Sequence, residues 1–208
     1  MNYPEQIVTV DNFSEFTFKE KGSTFIGQVY HCETEKEATE TLASVKKKYY
    51  DATHHCYAYR FLDLKFKYSD DGEPSGTAGL RILNAIDHFK LFNVIVIVIR
   101  YYGGTKLGVG PLGKAYYNSA LTVLEKADKI IKTLYQQILI ESSFDYVSYI
   151  HKAIANHHAT IVSSDYSEKV IFECGIKPSQ LNDFTSKLTD ISRGKITIRV
   201  KEDTYYYK

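Results

Sequence analysis

The clearest apolar and polar patterning lies in the second half of the chain. LYQQILIE, Leu134 to Glu141, is a short run of β-branched and long apolar residues and predicts a strand. From Asp145 to His158, Tyr146, Val147, Ile150 and Ile154 recur at helical spacing. Two strand-like runs follow, ATIVSSDY and EKVIFECGI, separated by little more than a turn. Pro178 stands where a first helical turn tolerates proline, and Leu181, Phe184, Leu188 and Ile191 then trace one apolar helix face. Gly194 comes just after the last of these, as a helix C-terminus prefers, and KITIRVKE closes as a strand. The order β-α-β-β-α-β is the split βαβ of ferredoxin-like folds.

The first half, about residues 1–129, also mixes strands and helices. FTFKEKGSTFIGQVYHC predicts a hairpin around a Lys21-Gly22-Ser23 turn. Thr34 and Glu37 form a capping-box pair, followed by Ala38, Leu42, Val45 and Tyr49 along one helix face, with Lys46, Lys47 and Lys48 on a solvated side. CYAYRFLDLKFKY reads as strand, and TAGLRILNAIDHF as a helix through Leu80, Leu83, Ile86 and Phe89. VIVIVIRYY is apolar on both faces, which predicts a central buried strand. PLGKAYYNSALTVLEKA is a helix opening at Pro111. The expected domains are 1–129 and 134–208, with a linker at Lys126 to Thr133. The fold class is therefore α+β.

Composition narrows the functions. The formal net charge of +1 supplies no bulk attraction to nucleic acid or membrane. Residues 1–129 carry 16 Lys and Arg against 16 Asp and Glu, so an RNA-binding face would need its charges segregated. Cys32, Cys56 and Cys174 are scattered and lack CxxC spacing, which argues for reduced thiols in a cytoplasmic location. The start MNYPEQIVTV does not have the form of a signal peptide, and the longest apolar run, Val94 to Ile99, is far shorter than the roughly 20 residues that span a bilayer. No membrane partner is expected.

Three segments concentrate chemistry. In DATHHCYAYR, strand alternation points His54 and Cys56 one way and His55 the other. Packed histidines, partner-contacting histidines and a metal site all fit, although nothing supplies the further ligands that zinc needs. SDDGEPSGTAG offers Asp70, Asp71, Glu73, Ser75 and Thr77 without a calcium-loop or hydrolase-elbow pattern. Asp70-Asp71-Gly72 predicts a turn, Glu73-Pro74-Ser75 an extended segment, and Ser75 or Thr77 a cap for the next helix; a binding edge and acid–base chemistry are the alternatives. In RYYGGTKLGVGPLGKAYY, a strand runs into Gly103-Gly104, then Gly108, Gly110 and Gly113 at the start of a helix. Backbone amides there, with Arg100, Lys106 and Lys114, suit a phosphate; a purely structural loop is the alternative. The segment is not a Walker A loop, since Ala115 follows Lys114.

Together with KGSTFIG at Lys21 to Gly27, these segments resemble the IMPACT/YigZ family in order and spacing, and SSDYSEKV and KLTDISRGKI resemble the C-terminal domain of its bacterial members. The resemblance implies an N-terminal domain of the fold shared by elongation factor G domain IV and GHMP kinases, and a ferredoxin-like C-terminal domain similar to elongation factor G domain V. It implies a translation-linked role. Eukaryotic relatives act in translational control through an additional N-terminal domain, and bacterial ones are thought to bind RNA or the ribosome. Gly110-Pro111 stands where the family usually has two glycines, and Lys114 where it usually has arginine; both changes weaken anion binding by the loop.

The resulting expectation is a non-enzymatic binding protein without cofactor or metal, whose partner is RNA, the ribosome or a translation-regulatory protein. Arg60, Arg100, Lys106 and Lys114 would meet phosphates or an acidic partner on one face that includes Gly103 and Gly104. Tyr101 and Tyr102 would stack on bases, and His54 and His55 would contact the partner. Asp70, Asp71 and Glu73 would shape the loop or pair with the basic residues. The alternatives are a phosphotransferase or hydrolase in which these carboxylates hold Mg²⁺, and a regulator that binds only protein.

Overall fold

A computed structural model describes residues 3–63 and 65–207. In chain order the elements are β1 (Gln6–Val10), β2 (Ser14–Glu20), β3 (Ser23–His31), α1 (Glu35–Lys48), β4 (His54–Arg60), β5 (Phe66–Ser69), α2 (Gly79–His88), β6 (Val94–Tyr101) and α3 (Val109–Lys126). They continue as β7 (Lys129–Ser142), α4 (Val147–Asn156), β8 (Thr160–Tyr166), β9 (Val170–Ile176), α5 (Leu181–Ser192) and β10 (Thr197–Tyr207). The chain divides into two compact units, one formed by Ile7–Ile131 and the other by Lys132 onward together with the first residues through Gln6. The structure is mixed α and β with antiparallel sheets. The segment expected as a linker, 126–133, is the end of α3 and the start of β7, because Lys129-Ile130-Ile131 already has the β-branched character of a strand.

In the first unit the strand order is β2-β3-β6-β4-β5, antiparallel throughout. β6 is central, and its VIVIVI run splits between two cores. Val94, Val96 and Val98 pack with α2 and α3, whereas Ile95, Ile97 and Ile99 pack with α1 on the opposite face. The sheet is thus sandwiched between helical layers. The β2–β3 hairpin turns on Lys21 (φ 45°) and Gly22 (φ 81°), the two positive φ values of a type I′ turn. Thr34 caps α1 by accepting from the Glu37 amide (3.2 Å), and Glu37 returns a bond to the Glu33 amide (2.9 Å). The stretch read as one strand, CYAYRFLDLKFKY, is the two strands β4 and β5, paired as a hairpin.

The second unit orders four strands β8-β9-β7-β10, with every neighbouring pair antiparallel. Ile150 and Ile154 of α4 share one core with Phe184 and Leu188 of α5 and with Ile138, Ile140, Phe172 and Cys174 of the sheet. Ile191, expected on the apolar face of α5, is exposed, since the helix ends one residue later with Arg193 in the left-handed region. No helix among the described residues is long and apolar enough to cross a membrane.

All three cysteines are free and buried. Burial pushes the Cys32 thiol up to about 11 and the Cys174 thiol up to about 12, and it raises the Cys56 thiol further. Each is therefore protonated at pH 8 and shielded from reagents. The expected outcome is that an aromatic disulfide reagent at pH 8 titrates none of the three in the folded protein and all three in denaturant. Rapid reaction of a thiol before unfolding contradicts this placement.

Candidate functional site

The site grows from the loop between β5 and α2. Asp70 and Glu73 close a turn, with the Glu73 amide donating to the Asp70 carbonyl (2.9 Å) while Asp71 (φ 41°) and Gly72 (φ 89°) take positive φ. The Asp70 carboxylate then reaches across the loop. Its Oδ1 accepts from the amides of Ala78 (2.9 Å) and Gly79 (2.8 Å), and its Oδ2 from Gly76 (2.9 Å). Asp70 therefore satisfies the uncovered amides at the N-terminus of α2, a role expected of Ser75 or Thr77. Thr77 is buried and donates to the Pro74 carbonyl (2.6 Å), and Ser75 is exposed.

Asp71 turns toward β4 and α1. Its Oδ2 accepts from the His55 amide (2.7 Å), and its Oδ1 pairs with Lys46 (3.0 Å), so Lys46 is a brace for the acidic loop and not a freely solvated charge. His55 is buried, and its ring Nε2 donates to the Tyr49 carbonyl (2.9 Å), which removes it from the surface where a partner was expected to meet it. His54 is half-buried and donates from Nδ1 to the Asp71 carbonyl (2.8 Å). A carbonyl only accepts, so this bond assigns the proton to Nδ1 and leaves Nε2 facing Glu73 at 3.8 Å.

Glu73 and Arg100 form the buried centre, their side chains 4% and 6% exposed. Glu73 Oε1 accepts from Arg100 Nη1 (2.5 Å) and from the Tyr116 hydroxyl (2.7 Å). Burial, together with Cys56 and Glu73 nearby, raises the Tyr116 phenol far above the ordinary tyrosine range, so it stays a donor. Arg100 Nη2 donates to Ser23 Oγ (3.3 Å), and the guanidinium lies over the rings of Phe25 and Tyr102, each at 5.4 Å. Its Nε is buried with no partner among the described residues.

Ser23 Oγ also accepts from the Gly103 amide (3.2 Å), which joins the β2–β3 turn to the loop after β6. A Cβ on Gly103 would overlap the Gly22 backbone, so only glycine permits this contact. Tyr102 is 45% exposed and donates its hydroxyl to the Gly104 carbonyl (2.8 Å). Tyr101 points to the other face of the sheet, where it packs with the α1 core and donates to Asp51 (2.8 Å). It is not beside Tyr102, because successive strand residues face opposite ways. Arg60 is remote from this group. It lies at the other end of β4, paired with Asp87 and over the Phe92 ring.

An open cavity of about 470 Å³ lies between these elements, with His54, Glu73, Arg100, Tyr102, Lys106 and Val109 among its walls. α3 begins at this cavity. Its N-cap is Gly108 (φ 87°) with no side-chain cap, and its first turn has no acidic residue. The amides of Val109 and Gly110 have no acceptor among the described residues. Lys106 forms no ion pair among the described residues. The cavity thus joins a helix N-terminus and one unpaired lysine beside the neutralised Arg100–Glu73 pair, and the helix start with Lys106 suits an anion. Lys114 opens instead onto an adjoining cavity. The carboxylates that the phosphotransferase alternative assigns to Mg²⁺ are engaged elsewhere: Asp70 with amides, Asp71 with His55 and Lys46, and Glu73 with Arg100 and Tyr116. Asp70 as the α2 cap was missed at the sequence level because it lies eight residues before Ala78, outside any local capping spacing.

Residues 21–124 match the model of the Impact N-terminal domain, and residues 149–195 match a domain of unknown function, DUF1949. The chain is 33% identical over 205 residues to the IMPACT family member YvyE of Bacillus subtilis, covering 94% of each protein. It is 29% identical over 187 residues to the IMPACT family member YigZ of Escherichia coli, covering 88% of this chain and 92% of that one. The mouse Protein IMPACT is 36% identical over 94 residues, which cover 43% of this chain and 30% of the mouse protein. A crystal structure described as that of a hypothetical protein superposes with a TM-score of 0.68 at 27% identity, covering 96% of this chain and all of that one.

Two substitutions separate structural from surface roles in the loop. Asp70→Ala is expected to lower stability by about 2–4 kcal/mol, since three amides lose a charged acceptor, whereas Ser75→Ala stays within about 0.5 kcal/mol of the native protein. Urea unfolding measures both, and equal midpoints for the two variants contradict the Asp70 cap.

Proposed function

The chain belongs to the IMPACT family, and from that premise we propose that it is a non-enzymatic cytosolic binding protein linked to the regulation of translation, contacting RNA or the ribosome. The observation that carries this reading is the cavity at the start of α3, where uncapped amides, Lys106 and Arg100 converge beside the exposed ring of Tyr102. A phosphate seated there accepts from the amides and pairs with Lys106, while an adjoining base stacks on Tyr102. The link to translation rests on the family resemblance. On the same reading the two units are counterparts of elongation factor G domains IV and V, supported for the second by its β8-β9-β7-β10 order. The protein that binds only a translation factor is the other outcome of the test below.

Lys106 is the residue to change. Arg100→Ala would strand the buried Glu73 carboxylate at a cost of about 3–5 kcal/mol, confusing folding with binding. Co-sedimentation with ribosomes is expected to fall as salt rises, and Lys106→Ala is expected to weaken it and flatten the salt dependence by about 0.7–0.9 in logarithmic slope. Absence of co-sedimentation at every salt concentration overturns the RNA reading and leaves a protein partner.

A further inference from the structure

We propose that the phosphate-binding surface continues over the first turn of α3 into a second cavity, so that the site takes two consecutive phosphates of a single RNA strand. This inference rests on the reading of the first cavity as an RNA phosphate site. The second cavity, about 440 Å³, is walled by Arg81 and Asn84 of α2 and by Val109, Lys114 and Tyr117 of α3. Val109 also lines the first cavity, so the two adjoin across one helical turn.

The chemistry of the second cavity repeats that of the first without its buried ion pair. Arg81 and Lys114 are exposed, and neither has a carboxylate partner among the described residues. Among the described residues, no acidic one lines the cavity. Gly113 lets the Arg81 side chain lie against α3, since a Cβ there would stand 3.3 Å from Arg81 Nε. Gly110 leaves bare backbone between the cavities; a Cβ there would meet nothing, so packing does not require the glycine. In the first cavity Arg100 is buried and paired with Glu73, so the free positive charge there is that of Lys106.

Length selects the ligand. The side chain of Val109, 66% exposed, stands between the cavities on a helical turn. A diphosphate, whose phosphorus atoms share one oxygen, has a shorter reach than two phosphates joined through a sugar. Successive nucleotides, separated by a sugar, reach both sides, and the exposed Tyr102 ring then lies beside one of their bases.

The test is fluorescence anisotropy of a short labelled oligouridylate across a salt series, with uridine monophosphate as a one-phosphate competitor. The native protein is expected to show a logarithmic salt slope of about −1.4 or steeper, from two single-strand phosphates at about −0.7 each. Arg81→Ala/Lys114→Ala is expected to weaken the oligonucleotide several-fold and flatten the slope by about 0.7, yet leave competition by uridine monophosphate unchanged. Arg81→Lys/Lys114→Arg, which keeps both charges, is expected to retain the native slope. If the double alanine variant binds the oligonucleotide with native affinity and slope while Lys106→Ala is weakened, the second phosphate site is wrong and the first stands. If the native protein binds no oligonucleotide at any salt, both fail. Tight binding of uridine diphosphate that depends on Arg81 and Lys114 replaces the strand with a nucleotide and also overturns the proposal.

Discussion

β6 is the constraint on which the first unit depends. It is buried on both faces for six consecutive residues, with valines toward α2 and α3 and isoleucines toward α1. A strand so placed carries no polar side chain until it leaves the core, and the first is Arg100. Because the strand is central, its neighbours β3 and β4 end beside it: Phe25 and His54 are the register partners of Arg100. The polar groups of three strands therefore gather at one end of the sheet, where α3 begins. The site is the place where the hydrophobic pattern of β6 stops.

The loop SDDGEPSGTAG supplies what that end of the sheet lacks. Its carboxylates face a helix start, a strand amide and a buried guanidinium, each of which costs free energy if left unpaired. Asp70, Asp71 and Glu73 satisfy them in turn. The density of acidic residues, which at first sight suggests catalysis, is accounted for by structural hydrogen bonding. Glycines in the turn and beside Ser69 complete the fit, since the chain must bend sharply for three neighbouring carboxylates to point in three directions.

Much of the fold was legible because it depends on periodicity. The β-α-β-β-α-β order, the two-faced β6 and the Lys21-Gly22 turn each follow from apolar spacing or from residues that favour positive φ. The break between β4 and β5 was not legible, since Asp63 and Lys65 alternate with apolar residues as they would along a strand, and Phe61 is buried despite lying outside one. Within the site, spacing could group His54, Glu73, Arg100 and Lys106 as chemistry-bearing residues, but not say which were already paired. Arg60 and Tyr101 illustrate the limit. Each has the right residue type, and each is directed elsewhere by a partner, Asp87 or Asp51, distant in sequence.

The buried Arg100–Glu73 pair also shapes how the cavity meets a ligand. A guanidinium 6% exposed and already neutralised by a carboxylate contributes little long-range attraction. Its strength is in geometry: the pair, with Tyr116 and Ser23, fixes the floor of the cavity and the ring of Tyr102 above it. Attraction is left to the exposed lysine and the helix N-terminus, both screened by salt within a Debye length of about 8 Å at physiological ionic strength. Such a surface is suited to several weak, salt-screened contacts more than to one tight one. The first unit, Ile7–Ile131, has a net charge of only +1, so any attraction rests on where its positive charges are collected, and Lys106, Arg81 and Lys114 lie around the start of one helix.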